Sequence, residues 1–408
     1  MFKDVFVASD EEVKIRSKKS SSPDVKPRFD SIDLLRGLVM VLMALDHVRD
    51  YFSSARFDPL DLSQTTVQLF LTRWITHYCA PVFIFLAGTG AFLSMGRGKS
   101  KKDVSKFLLS RGLWLIFLEF TLVKLGWTFG FDYSLIVGQV IWVLGCSMVF
   151  LSFLIYLPLK TLAVFSISMV LIHNLLDGIT PDQFGSFSWL WILFHNFAAI
   201  DLGGGYTFFG AYPFIPWIGV MAGGYCFGSL YSLEAEKRKK ILFWMGTGMI
   251  AGFFLIRLMD FYGDSNTWTT QKNLVFTILD FINTTKYPPS LLFLLMTLGP
   301  AILFLSLLEK IKLNKTNSFF IVFGRVPLLY YLLHIPVIHL LAVLVANATG
   351  TDPGFMFGSY PFFWQTEWGY SLPTVYLVWI VVVIGLYPIC FLYNNYKRKK
   401  KSKLLSYL

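Results

Sequence analysis

An arginine and a histidine stand eleven residues apart in the first strongly apolar stretch of the chain, at Arg36 and His47. Eleven steps of about 100° make three helical turns and about 20° more, so both side chains project from one face, about 16 Å apart along the axis. Arg36 could also reach lipid headgroups and His47 could be interfacial, but charged side chains on a common stripe usually face a protein interior or a watery cavity. The stripe therefore predicts a polar channel with a guanidinium at one mouth and a proton-accepting imidazole at the other.

Two histidines compete for the role of general base. Asp50 follows His47 by three residues, within reach on a helix, and a neighbouring carboxylate can orient an imidazole for proton abstraction. Arg73 and His77 are four residues apart at the start of the second apolar stretch and share a helix face. His47 with Asp50, and separately His77, are the catalytic candidates, and Arg73 is a candidate for binding the substrate.

Other polar side chains interrupt the later apolar stretches. Tyr330 and His334 are four residues apart and share a face, so both are candidates for a substrate-binding cavity wall. Glu119 needs a partner inside the membrane, for which Arg36 or Arg111 would serve, and a structural ion pair is at least as expected there as catalysis. In the topology that the basic residues predict, all six histidines lie in the outer half of the membrane or beyond it: His47, His77, His173, His195, His334 and His339.

The composition is that of an integral membrane protein. The 408 residues are 55% hydrophobic and 15% charged, whereas soluble domains carry about 25% charged residues. The sequence predicts an all-α polytopic bundle of about ten transmembrane helices. The predicted spans are 33–52, 74–95, 107–127, 135–157, 161–176, 212–231, 241–262, 289–308, 319–346 and 371–393. The shorter apolar stretch 187–200 is expected to be an outer re-entrant or interfacial segment.

The basic residues predict the orientation of this bundle. Most of the 36 lysines and arginines fall in segments that alternating helices place on one side, and the positive-inside rule assigns that side to the cytoplasm. Both termini are then cytoplasmic. Three regions are expected: a flexible basic tail at 1–28, which lacks the apolar core of a signal peptide, a transmembrane domain at 29–396, and a basic tail at 397–408. The outer connections are longer and aromatic, which indicates binding on that face.

Several classes of function lack their sequence motifs. The four cysteines show no CxxC spacing, so neither a disulfide framework nor a metal site is expected. The chain contains no GxxxxGKS/T, no HExxH and no GxSxG pattern, which argues against an ATP-driven pump, a zinc protease and a serine hydrolase. The formal net charge of +11 is explained by basic loops that fix orientation, so no nucleic-acid partner is expected.

Three segments resemble one group of membrane enzymes. The run RFDSIDLLRGL at 28–38 is similar to the start of the heparan-α-glucosaminide N-acetyltransferase-like membrane proteins, and KYPPS at 286–290 and GRVPLLYYLLH at 324–334 resemble its bacterial members. The spacing of Arg36 and His47 is also similar to the first-helix motif of the wider transmembrane acyltransferases that modify surface polysaccharides. The animal lysosomal enzyme carries its essential histidine in the luminal stretch after this helix. The corresponding loop 53–72 has no histidine here, so His47 and His77 both stay candidates.

The resemblance implies acyl transfer across a membrane. Acetyl-CoA or another acyl-CoA would dock on the cytoplasmic side and pass its acyl group to a hydroxyl or amine of an extracytoplasmic glycan or amino sugar. The candidates for contacting the donor are Arg36, Arg111 and Arg325. His47 would deprotonate the acceptor, and Lys286 would help to bind it. Membrane lipids are the surroundings, a homodimer is compatible with this interpretation, and the expected location is the bacterial cytoplasmic membrane, or a lysosomal-type membrane in a eukaryote.

A second hypothesis is a proton-coupled secondary transporter or a lipid-linked sugar carrier, in which the intramembrane charges form a proton relay. Transporters commonly contain inverted repeats and interrupted helix pairs, and neither is visible in the sequence. A non-catalytic membrane partner is a third hypothesis that no feature favours. The sequence leaves open the acceptor, the acyl chain, and whether transfer passes through an acyl-enzyme.

Overall fold

The computed structural model describes residues 29–96, 98–309, 311, 314–400, 402, 405 and 407; the predicted tail at 1–28 lies outside them. The described chain is mostly helical. Its α-helices are α1 (Asp30–Phe52), α2 (Val67–Thr76), α3 (Cys79–Met95), α4 (Lys101–Leu118), α5 (Lys124–Thr128), α6 (Val140–Leu154), α7 (Leu159–Ile172), α8 (Ser188–Phe194), α9 (Trp217–Phe227), α10 (Ala235–Met259), α11 (Leu274–Ile282), α12 (Leu291–Leu308), α13 (Lys315–Arg325), α14 (Pro327–Ala348) and α15 (Leu372–Lys399). A π-helical turn, Glu119–Val123, joins α4 to α5. Since α15 continues through Lys399, the first residues of the predicted basic tail are helical.

Six helices in the described part of the chain are long and apolar enough to cross a membrane. They are the segment Val67–Met95, which joins α2 and α3, the segment Leu159–Leu176, which extends α7, and the helices α10, α12, α14 and α15. Helix α6 is apolar but shorter, and α1 carries several charged residues among its 23. The predicted membrane-spanning character is supported for six helices, whereas the full set of ten spans and the cytoplasmic termini stay predictions.

Helix α11 lies between two of the predicted spans, and three further differences concern the predicted segments themselves. The segment 319–346, expected as one helix, is interrupted at Val326, because Pro327 begins α14 and has no N–H to continue the hydrogen bonding of α13. Residues Leu135–Gly138, expected at the start of a helix, form strand β1. The predicted interfacial segment 187–200 contains α8 and the beginning of strand β2, Ala198–Gly203.

A three-stranded sheet is the main departure from an all-α fold. Strand β3, Tyr206–Gly210, lies in the centre, parallel to β1 and antiparallel to β2. The turn between β2 and β3 passes through Gly203, Gly204 and Gly205, all at positive φ, a conformation that glycine adopts without steric cost. This part of the long aromatic connection between α8 and α9 is therefore an ordered hairpin.

Among the described residues, four helix pairs cross closely at a glycine on each helix. A Cβ on Gly37 of α1 would lie 1.8 Å from the carbonyl oxygen of Phe320 in α13, and a Cβ on Gly324 would lie 1.8 Å from that of Asp33. Close crossings also join α3 to α9, α4 to α6 and α10 to α12, at Gly88 and Gly224, at Gly112 and Gly145, and at Gly246 and Gly299. Small residues let transmembrane helices approach closely. The first crossing sets the position of α1 against α13.

Helix α1 is surrounded by other helices. It packs against α2, α3, α12, α13, α14 and α15, and most of its side chains are buried. Because a polar group buried without a partner costs free energy, the polar side chains of α1 must meet partners or a cavity inside the protein.

Candidate active site

A cavity runs along one face of α1. Arg36, Met40, Met43 and His47 line it at spacings of four, three and four residues, which is the helical stripe expected from the sequence. The cavity, called here the central cavity, measures about 270 Å³, just below the usual range for small-molecule sites. We call its two ends the arginine end and the histidine end, after Arg36 and His47. The wall between them is largely apolar and comes from α3, α4 and α6, with Cys79, Leu86, Leu115 and Leu144 among its residues.

The histidine end holds two imidazoles in direct contact. Nδ1 of His47 lies 2.7 Å from Nε2 of His334, and the two rings lie side by side, with centroids 4.9 Å apart and ring planes 18° from parallel. His334 is fully buried in α14, where its Nδ1 lies 2.9 Å from the carbonyl oxygen of Tyr330. The ring of Tyr330 stacks on that of His334 at 5.2 Å. Tyr330 and His334 do share a helix face, but neither is among the residues that line the cavity, so the expectation that they form its wall is wrong.

A carboxylate beside His47 is neutralised by two arginines. Asp46 lies 2.5 Å from Nη1 of Arg73 and 3.0 Å from Nη2 of Arg49, and it also accepts a hydrogen bond of 3.0 Å from the hydroxyl of Thr76. Asp46 and Thr76 line the cavity, whereas Arg73 does not. Arg73, expected to contact substrate, therefore holds Asp46 in place.

Asp50 does not orient His47 in the structure. Its carboxylate lies 2.6 Å from Nη2 of the adjacent Arg49, and the partner of the His47 ring is His334. The prediction that Asp50 positions His47 is therefore wrong in its geometry. A spacing of three residues puts the carboxylate within reach of His47, but Arg49 is the stronger competitor because it carries a full charge.

The second candidate base, His77, is buried away from the central cavity. It is 1% exposed, its ring centroid lies 5.2 Å from that of Phe293, and it is not a lining residue. Neither of its ring nitrogens has a hydrogen-bond partner in the described part of the chain. His47 therefore has the access to the cavity that His77 lacks.

Lys286 reaches the histidine end from the connection between α11 and α12. It lines the cavity, and its ammonium lies 5.0 Å from the ring centroid of Tyr287 and 5.9 Å from that of Tyr212. The connection is held by Asp264, which accepts a 2.9 Å hydrogen bond from the backbone N–H of Thr285. Lys286 therefore lines the cavity as a cation, and its predicted contact with a substrate stays a prediction.

Ion pairs between α1 and α13 build the arginine end. Arg36 donates to Asp33 at 3.2 Å and to the carbonyl oxygen of Gly324 at 3.1 Å. Arg325 pairs with Asp33 at 3.2 Å and with Asp30 at 2.8 Å, and it does not line the cavity. Of these two arginines, Arg36 is open to a ligand in the cavity, while Arg325 braces the start of α1.

Arg111 lines the cavity from α4, whereas Glu119 serves another purpose. The guanidinium of Arg111 lies 5.8 Å from the ring centroid of Phe107. Glu119 is 2% exposed and accepts a 2.8 Å hydrogen bond from the backbone N–H of Trp142. The predicted pairing of Glu119 with Arg36 or Arg111 is therefore wrong. Its carboxylate caps the start of α6, where unpaired N–H groups and the helix dipole favour negative charge.

Some lining residues were missed by sequence reasoning. Tyr331 lines the cavity with its ring centroid 6.4 Å from that of His47, and Tyr212 reaches the same end from the connection after β3. Nothing local distinguishes Tyr331 from Tyr330, because which of them faces α1 depends on the helical phase of α14. That phase is set by the interruption at Val326.

The two ends of the central cavity offer different chemistry. His47 has one ring nitrogen, Nε2, left to exchange a proton with a ligand, while Arg36 and Arg111 present positive charge to an anion. The helical rise between Arg36 and His47 separates these functions by about 16 Å. Across the described residues, no group of three or more His, Cys, Asp or Glu side chains is placed to hold a metal ion.

One comparison with known proteins gives a match. The family model described as heparan-alpha-glucosaminide N-acetyltransferase, catalytic, matches residues 28–258, more than half of the chain. The matched region contains the stripe of α1 and Arg111, whereas Lys286 and His334 follow it in the sequence. No curated protein matches the chain.

Proposed function

Since the chain belongs to the heparan-alpha-glucosaminide N-acetyltransferase family, we propose that it moves an acetyl group from acetyl-CoA, or a similar acyl-CoA, across a membrane to a hydroxyl or amine of an extracytoplasmic glycan or amino sugar. The observation that carries the proposal is that one cavity joins Arg36 to His47. An anionic donor needs cations, and an acceptor that must lose a proton needs a base. The cavity offers these at opposite ends.

The proposed topology puts the arginine end in the cytoplasm. Ten spans with both termini inside place most lysines and arginines on that side, in keeping with the positive-inside rule. Helix α1, with its charges turned to the cavity and to partners, then crosses the membrane although its composition is less apolar than that of the six long helices. The bacterial cytoplasmic membrane is the proposed location.

The donor binds with its phosphates at the arginine end. Arg36 and Arg111 meet the phosphates, and the flexible thiol-bearing arm follows the apolar wall toward His47. Arg36 is already bonded to Asp33 and to the carbonyl of Gly324, which fixes its guanidinium before a ligand arrives. Preorganised cations lose little conformational entropy on binding.

His47 acts as general base at the other end. The acceptor oxygen or nitrogen attacks the thioester carbonyl, and Nε2 of His47 takes its proton. The new C–O or C–N bond forms as the C–S bond breaks, and the thiolate of coenzyme A leaves and takes up the proton that His47 accepted, which restores the neutral imidazole. Lys286, at the same end of the cavity, stabilises the negative charge that develops on the carbonyl oxygen.

Reconstituted protein tests this proposal directly. Proteoliposomes enclosing a glucosamine oligosaccharide receive radiolabelled acetyl-CoA on the outside, and label in the enclosed sugar is measured. The wild-type protein is expected to label it. His47→Gln should lower the rate by about 10² to 10⁴, the range for loss of a general base. His77→Gln, which removes a buried imidazole that does not line the cavity, is the matched control and should keep most of the activity.

Two outcomes would contradict the proposal. Full activity in folded His47→Gln would remove His47 as the base, and full loss in His77→Gln alone would transfer that role to His77. Proton-coupled uptake of sugar without any acyl-CoA, together with no labelling, would instead favour the transporter hypothesis.

A further inference from the structure

The contact between two histidines defines where their protons lie. Nδ1 of His334 is 2.9 Å from the carbonyl oxygen of Tyr330, and a carbonyl oxygen can only accept a hydrogen bond. Nδ1 of His334 therefore carries hydrogen, and in the neutral ring Nε2 is then an acceptor. That Nε2 lies 2.7 Å from Nδ1 of His47, so Nδ1 of His47 must donate. The lone pair of His47 is left on Nε2.

We propose that His334 is the positioning residue for His47: it holds the His47 ring with its proton on Nδ1, and it accepts the strengthened hydrogen bond when Nε2 takes a proton. The second half of this inference rests on the proposed function, in which His47 is the base. A Ser-His-Asp triad uses a carboxylate for the same purpose. Here a neutral imidazole does so, and the nearby carboxylate, Asp46, is committed to Arg73 and Arg49.

The surroundings of His334 favour positioning over direct catalysis. Its side chain is fully buried and is not among those that line the cavity, so an acceptor cannot reach it. Its ring lies parallel to that of Tyr330, with centroids 5.2 Å apart, and nearly coplanar with that of His47, with centroids 4.9 Å apart. The ring of Tyr331 meets it edge-on at 5.5 Å. These contacts fix the ring plane, so that His334 can act only through His47.

The family match leaves this residue unassigned. It ends at residue 258, and His334 lies in α14, 287 residues after His47. Two hydrogen bonds and the burial of its ring connect His334 to His47.

Solid-state NMR of protein labelled with ¹⁵N-histidine, in lipid bilayers and without substrate, tests the proton positions independently of activity. His47 is assigned by the resonances missing from His47→Gln. It should show a protonated Nδ1 and a bare Nε2, and His334→Leu should shift it to the other tautomer or to a mixture. Protonation of His47 on Nε2 in the wild-type protein, or an unchanged tautomer in His334→Leu, would overturn the inference.

Two substitutions of His334 separate positioning from general support of the fold. Leucine removes the acceptor and should lower kcat by about a hundredfold, within the range for general-base catalysis, with the KM for acyl-CoA nearly unchanged. Glutamine places Oε1 as many bonds from Cβ as Nε2 of histidine, so it can accept from Nδ1 of His47. His334→Gln should recover at least a tenth of the wild-type kcat. Equal kcat losses in His334→Gln and His334→Leu would show that acceptance of this hydrogen bond is not the function.

A buried imidazole elsewhere on α14 is the matched control. Nδ1 of His339 lies 3.2 Å from the carbonyl oxygen of Gly126, and its ring stacks on Phe129 at 3.9 Å. His339→Leu should leave the His47 tautomer unchanged, whatever it does to thermal stability. If His334→Leu does not fold, the tautomer of His47 in the wild-type protein and the kcat of His334→Gln still test whether His334 positions His47. If His47→Gln keeps full activity while the tautomer is as expected, the proposed function fails and the proton assignment stands.

Discussion

The two ends of the central cavity are held in place by different interactions. At the arginine end, α1 and α13 touch backbone to backbone at Gly37 and Gly324, and Arg36 bonds to a carbonyl at that crossing. At the histidine end, the orientation of the His47 ring depends on a side-chain hydrogen bond to His334. Charge attraction falls slowly with distance, whereas proton transfer needs hydrogen-bond geometry. We therefore expect the arginine end to control folding and donor affinity, and the histidine end to control the rate of the chemical step.

Gly37→Val is expected to have the largest effect of all, because it acts on the crossing itself. Its Cβ would lie 1.8 Å from the carbonyl oxygen of Phe320, and the helices would have to separate to make room. Little or no folded protein should be recovered by size-exclusion chromatography. Gly248→Val in α10 is the matched control, since no atom lies within 4 Å of a Cβ there. A folded Gly37→Val protein with a normal thermal midpoint would show that the crossing is not required.

The two ends also differ in how far they could be predicted from the sequence. The stripe from Arg36 to His47 lies within one helix, so its spacing was enough to place both side chains on one cavity, but the predicted polar channel has a largely apolar wall. The partner of His47 comes from α14, and no pattern inside α1 indicates it. Asp50, the partner predicted instead, is local, and the prediction failed because Arg49 binds the same carboxylate.

The same distinction between local and distant holds for the fold. Long apolar stretches predict helices because a helix satisfies the backbone hydrogen bonds of a segment within that segment. The strand β1 pairs with β3 about 70 residues later in the chain. The hydropathy of a segment does not predict which distant segment it will pair with. Gly37 and Gly324 are both visible in the sequence, but which glycine meets which helix is a property of the packed bundle.

Arg111→Gln should separate binding from chemistry. Arg111 lines the arginine end, and loss of one charge-assisted hydrogen bond to a donor phosphate costs at least about 1.4 kcal/mol, or tenfold in affinity. The KM for acyl-CoA should rise by about this factor while kcat stays nearly constant. Lys106→Gln, an exposed cation on the same helix, is the control and should leave the KM unchanged. A fall in kcat at constant KM would place Arg111 in the chemical step.

Glu119→Ala tests the part of α6 that borders the cavity. Removing the carboxylate that accepts from the N–H of Trp142 should lower stability by about 1 kcal/mol, the usual cost of losing a helix cap. The readout is the thermal midpoint in detergent. Glu119→Gln keeps an acceptor oxygen and should lose less. Equal losses for the two variants would mean that charge, not capping, is what Glu119 contributes.

Asp50→Asn should have the smallest effect, and it bears on the histidine end most directly. The carboxylate of Asp50 is bound by Arg49 and does not touch His47, and Arg49 keeps Asp46 as an ion-pair partner when the charge of Asp50 is removed. We expect the kcat of Asp50→Asn to change by less than about threefold. His334→Leu, for which a loss of about a hundredfold is expected, is assayed in the same experiment for comparison. The asparagine keeps the size of the side chain, so a large loss would have to come from its charge. Such a loss would return Asp50 to the role that its spacing from His47 first indicated, and the imidazole pair would then be a packing contact.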